Sequence, residues 1–211
     1  MDAVTSRRIE GEGTPELQWK AWLANHHFPL LSPGELLQES RRVVIVAPHP
    51  DDEILGTAGL LRHCSQTATP CLVISVTDGG ASHPGSGLWP RERLIRTRAQ
   101  ESAQALSLLA PGTQVIRLNL PDGLVAAHAS KLAAALQGRL HPTDALVCTW
   151  CNDGHPDHEA TGQICATAAA QFGCRLFELP IWTWHWAIPG DPRVPWHRAA
   201  ALPLTSRDLT L

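Results

Sequence analysis

His49-Pro50-Asp51-Asp52-Glu53 sets one imidazole and three carboxylates in five consecutive residues, directly after the apolar run Val43-Val44-Ile45-Val46. Imidazole nitrogen and carboxylate oxygen are donors with which proteins hold zinc, and three protein donors with one position left open make a catalytic rather than a structural centre. A spacing of three between His49 and Asp52 lets a first helical turn present both to one point. A second group, Gly154-His155-Pro156-Asp157-His158, follows another apolar run, Ala145–Thr149. If both loops share one sheet edge, His158 supplies the third ligand and water fills the remaining position. The alternative is that Asp51 and Asp52 merely cap a helix, whose N-terminus favours acidic groups, and that His155 and His158 are surface loop residues. Capping needs no imidazole, so two His-Pro-Asp stretches, each at a strand end, weigh toward the metal.

The elements that would position these groups are legible from hydrophobic pattern. Apolar, β-branched runs occur at Val43–Ala47, Cys71–Val76, Val115–Leu118, Ala145–Thr149 and Leu176–Leu179, with helical spacing between them. In Arg91–Ala110 the residues Leu94, Ile95, Ala99, Ser102, Leu106 and Leu109 fall near one face, and Leu132, Ala133, Leu136 and Leu140 do likewise further on. Strands that are continuously apolar and alternate with helices predict a mainly parallel sheet covered on both faces, an α/β fold of the Rossmann-like three-layer αβα sandwich type. In such sheets ligands bind where strand meets helix.

Around that sheet, Glu16–His26 reads as a short helix with Pro15 at its first position. Gly56-Thr57-Ala58-Gly59 lies inside a predicted helix and lets it pack close to the sheet; no GxGxxG dinucleotide fingerprint is present. Past Pro180 the rings of Trp182, Trp184 and Trp186 share one parity, so an extended segment would place all three on one face. They would form either a satellite core or a hydrophobic wall beside the metal. Ala199–Leu204 reads as a final strand. The loop Ala81–Pro90, opened by Thr77-Asp78-Gly79-Gly80, is either a lid over the pocket or an ordinary surface loop.

With 211 residues, 44% of them hydrophobic, the chain can bury one sizeable core. We therefore expect a single domain over 1–211, with an N-terminal helical extension at 1–40 and a Trp/Pro-rich C-terminal segment at 181–211. Seventeen basic and 20 acidic residues give a net charge of −3 without long blocks, which argues against nucleic acid or an anionic membrane as partner and for a small molecule. Neither a secretory signal nor a membrane-spanning run is evident. Six scattered cysteines read as reduced and the protein as cytoplasmic, with Cys148 of Cys148-Thr149-Trp150-Cys151 a core residue rather than a redox group.

Ala47-Pro48-His49-Pro50-Asp51-Asp52-Glu53 together with Gly154-His155-Pro156-Asp157-His158 resembles the PIG-L/LmbE-like zinc-dependent de-N-acetylases, over most of residues 40–180. The resemblance implies hydrolysis of an N-acyl group, commonly from glucosamine, with zinc held by His49, Asp52 and His158. It makes Asp51 the general base, His155 the stabiliser of the tetrahedral oxyanion, Asp157 the group that orients that imidazole, and Glu53 a residue holding a ligand in place. Arg98 and Asp122 match family positions that approach the substrate, as does Glu101. Arg98 and Glu101 could equally form a surface ion pair, and Leu120-Pro121-Asp122-Gly123 an ordinary turn.

One departure matters. The glucosaminyl-inositol branch of the family carries a tyrosine two residues before the first histidine of the second motif, whereas here that position is Asp153 and the chain has no tyrosine. Protonation of the leaving amine falls to Asp51 or to His155. The expected substrate is an N-acetyl amino sugar or related small amide. The rivals are an amidase acting on a thiol-conjugate or non-sugar amide, and a silent sugar- or nucleotide-binding module. Iron(II) could occupy the same ligands as zinc. Relatives often continue into another helix past the point where this chain ends, so a truncated C-terminus is also an expectation.

Overall fold

A strand that is apolar on both faces must be covered on both, and the chain meets this requirement with one all-parallel sheet. The computed structural model describes residues 7–204. Its strands are β1 (Arg42–Ala47), β2 (Cys71–Thr77), β3 (Gln114–Leu120), β4 (Asp144–Thr149) and β5 (Arg175–Leu179), in spatial order β3-β2-β1-β4-β5. In the central strand, Val43 pairs with Cys71 on one side and with Ala145 on the other. Helices α1 (Glu16–Asn25) and α2 (Pro33–Leu36) precede the sheet. Then α3 (Asp52–Leu55) and α4 (Ala58–Gln66) join β1 to β2, α5 (Arg91–Leu109) joins β2 to β3, α6 (Ala129–Gln137) joins β3 to β4, α7 (Pro156–Phe172) joins β4 to β5, and α8 (Thr183–Trp186) follows β5.

Alternate residues of β1 enter opposite cores. Val43 and Ile45 pack with Leu60, Leu61 and Leu106 from α4 and α5, whereas Val44 and Val46 pack with Leu132, Leu136 and Cys165 from α6 and α7. The crossovers therefore change faces between α5 and α6. Strand order reverses between β1 and β4, and in such a sheet the place for a ligand is beyond the C-terminal ends of those two strands. The first His-Pro-Asp stretch lies in the loop leaving β1, and the second runs from the end of the loop leaving β4 into the first turn of α7.

Several local expectations are corrected. Pro15 stands at the N-cap rather than inside α1. The helix expected through Gly56-Thr57 is interrupted there, between α3 and α4. Close packing does hold, since a Cβ on Gly56 would come 2.6 Å from Leu179 Cδ1. Residues 199–204 form no strand; a single parallel bridge joins Leu30 to Ala201. Trp184 and Trp186 lie in α8 rather than in an extended segment, so shared parity does not put the three rings on one face. Trp184 meets Trp19 with ring centroids 4.9 Å apart, and the Trp19 indole donates to the Trp184 carbonyl at 2.8 Å. With Trp22, Trp196 and Val194 they form a satellite core shared by α1 and the C-terminal segment. No helix among the described residues is long and apolar enough to cross a membrane. All six cysteines are free thiols, with Cys148 in the core.

Candidate metal centre

The first loop leaves β1 and is pinned at once, because the Pro48 carbonyl accepts the Thr77 N–H of the neighbouring strand. His49 stands before α3 rather than on it, contrary to the helical-turn expectation. A tight turn does the same work: the His49 carbonyl accepts the N–H groups of Asp51 and Asp52, and the His49 N–H donates to Asp52 Oδ2 at 2.9 Å. The second loop ends with His155 at the N-cap of α7 and Pro156 at its first position. Gly162 brings α7 against β4, since a Cβ there would lie 2.7 Å from the Thr149 carbonyl oxygen. That approach carries His158, on the same helix and fully buried, to the first loop.

His49 Nδ1, His158 Nε2 and Asp52 Oδ2 lie 3.2 Å (between the nitrogens), 3.4 Å (His49 to Asp52) and 3.3 Å (His158 to Asp52) apart. A tetrahedral ion with bonds of about 2.0–2.1 Å needs ligand-to-ligand edges of about 3.3–3.4 Å, so the donor set fits one face of a zinc-sized tetrahedron. Two further donor groups share residues with it: His49, His155 and His158, and His49, Asp122 and Asp157.

Around these donors the protein concentrates negative charge. His49 Nε2 lies 3.2 Å from Asp122 Oδ1 and 3.4 Å from Asp157 Oδ2, although neither oxygen is aligned for a hydrogen bond. Burial opposes charge on His49, but Asp122, Asp157 and Asp52 outweigh it and push its pKa up to about 11. Burial likewise opposes ionisation of Asp52, and His158 and His49 more than reverse that, holding its carboxyl well below the usual range. This is a cluster built to surround positive charge.

The remaining expected residues converge here in arrangements that sequence did not foresee. Asp51 is exposed, and its Oδ2 meets Arg98 Nη2 at 3.0 Å. Partial loss of water around the carboxyl and repulsion from Asp52 raise its pKa against the opposing pull of Arg98. Arg98 also donates to the Pro50 and Gly79 carbonyls, so it braces the first loop and is partnered by Asp51 rather than by Glu101. Glu53 is buried, accepts the Asp51 N–H at 3.0 Å and receives the Ser102 hydroxyl from α5. Asp122 accepts the Ala81 N–H, tying the root of the 81–90 loop to the site.

Asp157 differs from expectation. Its carboxylate accepts the N–H groups of Gly123 and Val125 and faces His49, not His155. What Asp157 gives His155 is its backbone N–H, 3.2 Å from Nδ1. That bond occupies the Nδ1 lone pair and leaves Nε2 as the protonated nitrogen of a neutral ring. Burial, with His49 and His158 nearby, lowers the His155 pKa to about 4. The Trp182 ring lies 6.2 Å from that of His155 and nearly parallel to it.

Sequence reasoning missed two contributors. Ser102 registered only as a residue of the buried face of its helix. Asp153 registered only as the substitute for a tyrosine, yet it is fully buried and its Oδ2 lies 2.8 Å from His158 Nδ1. An acid five residues before a buried histidine, in a loop that starts a helix, was the available signal.

A Rossmann-like sheet with a His/Asp donor cluster at its switch point defines a class, and sequence comparison specifies it: residues 44–169 match the model of the PIG-L family, GlcNAc-PI de-N-acetylase, and the chain belongs to that family. A Bacillus anthracis protein described as "Probable N-acetyl-alpha-D-glucosaminyl L-malate deacetylase 2" is 27% identical over 147 residues, covering 64% of this chain and 62% of its own length. The chain thus spans under two thirds of that relative. Among solved structures, the N,N'-diacetylchitobiose deacetylase from Pyrococcus horikoshii superposes with a TM-score of 0.56 at 20% identity, over 78% of this chain and 64% of its own. The zinc-inhibited form of a teicoplanin deacetylase gives 0.56 at 18% identity, over 77% and 73%. At those identities the two structures share the fold.

Proposed function

We propose that this chain is a metal-dependent deacetylase that hydrolyses the N-acetyl group of an amino sugar, with His49, Asp52 and His158 holding zinc. The observation that carries the reading is the tetrahedral-edge spacing of those three donors. Names of the relatives support the substrate class, since N-acetylated sugars recur in them. Iron(II) suits the same donors and is separated from zinc by metal reconstitution. We take 1–211 as one domain acting on a small molecule.

A divalent ion at this position supplies Lewis acidity, polarising the amide carbonyl and lowering the pKa of water toward about 7. Asp51 takes the proton of the attacking water; its raised pKa suits a group that must accept a proton and then release it. Arg98 fixes the carboxylate's direction. His155 presents its Nε2–H to the developing oxyanion as a neutral donor. Charging that ring would require a proton on Nδ1, which already accepts the Asp157 N–H. His155 therefore stays neutral, and Asp51 returns its proton to the leaving amine. Asp122 and Asp157 face the far nitrogen of the His49 ring with negative charge.

The test is metal analysis combined with acetate release from N-acetylated glucosamine derivatives. Wild-type protein should bind about one divalent ion per chain, lose activity to chelator and regain it with Zn²⁺. Full metal occupancy in a His49→Ala/His158→Ala double variant sinks the ligand assignment; a metal-loaded protein releasing no acetate from any amino sugar sinks the substrate class.

A further inference from the structure

We infer that Asp153 is a positioning residue for the metal centre: it fixes the tautomer of His158 and locks that ligand to the segment that follows β5. The inference rests on the assignment of His158 as a ligand. An imidazole can offer Nε2 to a metal only if its remaining proton sits on Nδ1, and the group accepting that proton decides the tautomer. Asp153 Oδ2 stands 2.8 Å from His158 Nδ1 and also accepts the Trp182 N–H. The other oxygen, Oδ1, accepts the Ile181 and Thr183 N–H groups and the Thr183 hydroxyl. Besides that imidazole, the carboxylate thus accepts from four donors.

Its main chain joins the same structure, because the Trp186 indole donates to the Asp153 carbonyl at 2.7 Å. A carboxylate completely removed from water is costly unless its lone pairs are met, and here they are met by four donors from one chain segment and one imidazole. With four donors already aimed at its two oxygens, the Asp153 carboxylate is placed to accept from His158 Nδ1 rather than to donate to it. Nε2 is consequently left bare on the side where it meets Asp52 and His49.

Asparagine is the informative substitution, because it keeps the shape and changes the logic of the bonds. Its amide oxygen satisfies the three donors at the Oδ1 position, which places the NH₂ group opposite both His158 Nδ1 and the Trp182 N–H. The backbone N–H of Trp182 cannot move its proton, but the ring can, and to avoid a second meeting of donors it must carry its proton on Nε2 instead, where the metal would bind. Asp153→Asn should therefore weaken Zn²⁺ binding by about 10–100-fold, measured by competition with a chelating indicator and without any substrate. Thr183→Val removes one donor from Asp153 without touching His158; it should lower thermal stability and leave Zn²⁺ affinity unchanged. In the metal-free wild type, ¹⁵N NMR at a pH where the ring is neutral should show the proton on His158 Nδ1. This last measurement decides the matter even if Asp153→Asn does not fold.

An Nε2–H tautomer in the wild type, wild-type affinity in folded Asp153→Asn, or an equal affinity loss in Thr183→Val would each overturn the inference. Wild-type affinity in a His158→Ala variant would instead overturn the ligand assignment beneath it.

Discussion

The loop leaving β1 and the loop leaving β4 each lead to one candidate histidine ligand, but they are braced by different elements. The first is held by α5, through Ser102 on Glu53 and through Arg98 on Asp51, Pro50 and Gly79. The second is held by the segment after β5, through Asp153, and behind that segment stands the tryptophan cluster built with α1. The first brace controls the direction of the candidate base, whereas the second controls a ligand's lone pair. Damage to the first should appear in turnover and damage to the second in metal affinity.

The largest effect that could break this division belongs to Asp51. Asp51→Asn should retain the metal and lose about 10²–10⁴-fold in kcat, the usual worth of a general base. Metal loss in this variant would mean that Asp51 and Asp52 have exchanged roles. His155→Ala comes next, with an expected loss of about 10²–10³-fold, falling on kcat more than on KM because the bond to the oxyanion strengthens as charge develops. A change confined to KM would make His155 a substrate contact.

Asp157 connects the two regions, since it lies in the first turn of α7, where the second loop ends, and faces His49 of the first loop. Asp157→Asn should weaken Zn²⁺ binding by about 10–100-fold through His49. Titration of metal-free protein with Zn²⁺ against a chelator measures it. Unchanged affinity with reduced kcat would return Asp157 to its sequence-based role as a partner of His155.

How far sequence reached follows the same division. Periodicity revealed the parallel sheet, and the two motifs singled out His49, Asp52 and His158, which the structure gathers at one point, because both signals are local: a run of β-branched residues, or a His and an Asp three apart. Turn geometry was less legible, as Asp52 reaches His49 by accepting its backbone N–H and not through a helical turn. Least legible were the contacts between distant parts of the chain. Nothing near Asp153 announces that residues 181–183 will point three N–H groups at it, and nothing near Trp19 announces Trp184. The parity argument for the tryptophans failed because four residues closed into a helical turn, dividing the rings between the satellite core and the site. Trp184 went to the first and Trp182 to the second.

The smallest expected effect tests whether the first brace is separate from the metal. Ser102→Ala deletes the hydroxyl that donates to Glu53 Oε1 and leaves a buried carboxylate supported by the Asp51 N–H. Losing one partner of a buried acceptor costs about 1–3 kcal/mol, to be read from the denaturant midpoint. Glu53 would be freer to shift, and Asp51 with it, so kcat should fall modestly, by about tenfold or less, given that a misdirected base retains part of its 10²–10⁴-fold contribution. Zn²⁺ affinity should stay at the wild-type value, because neither His49, Asp52 nor His158 bonds to Glu53 or Ser102 in the structure. A Zn²⁺ affinity loss as large as that of Asp153→Asn would show that the two braces act on one rigid cluster, and that the base and the ligands cannot be perturbed apart.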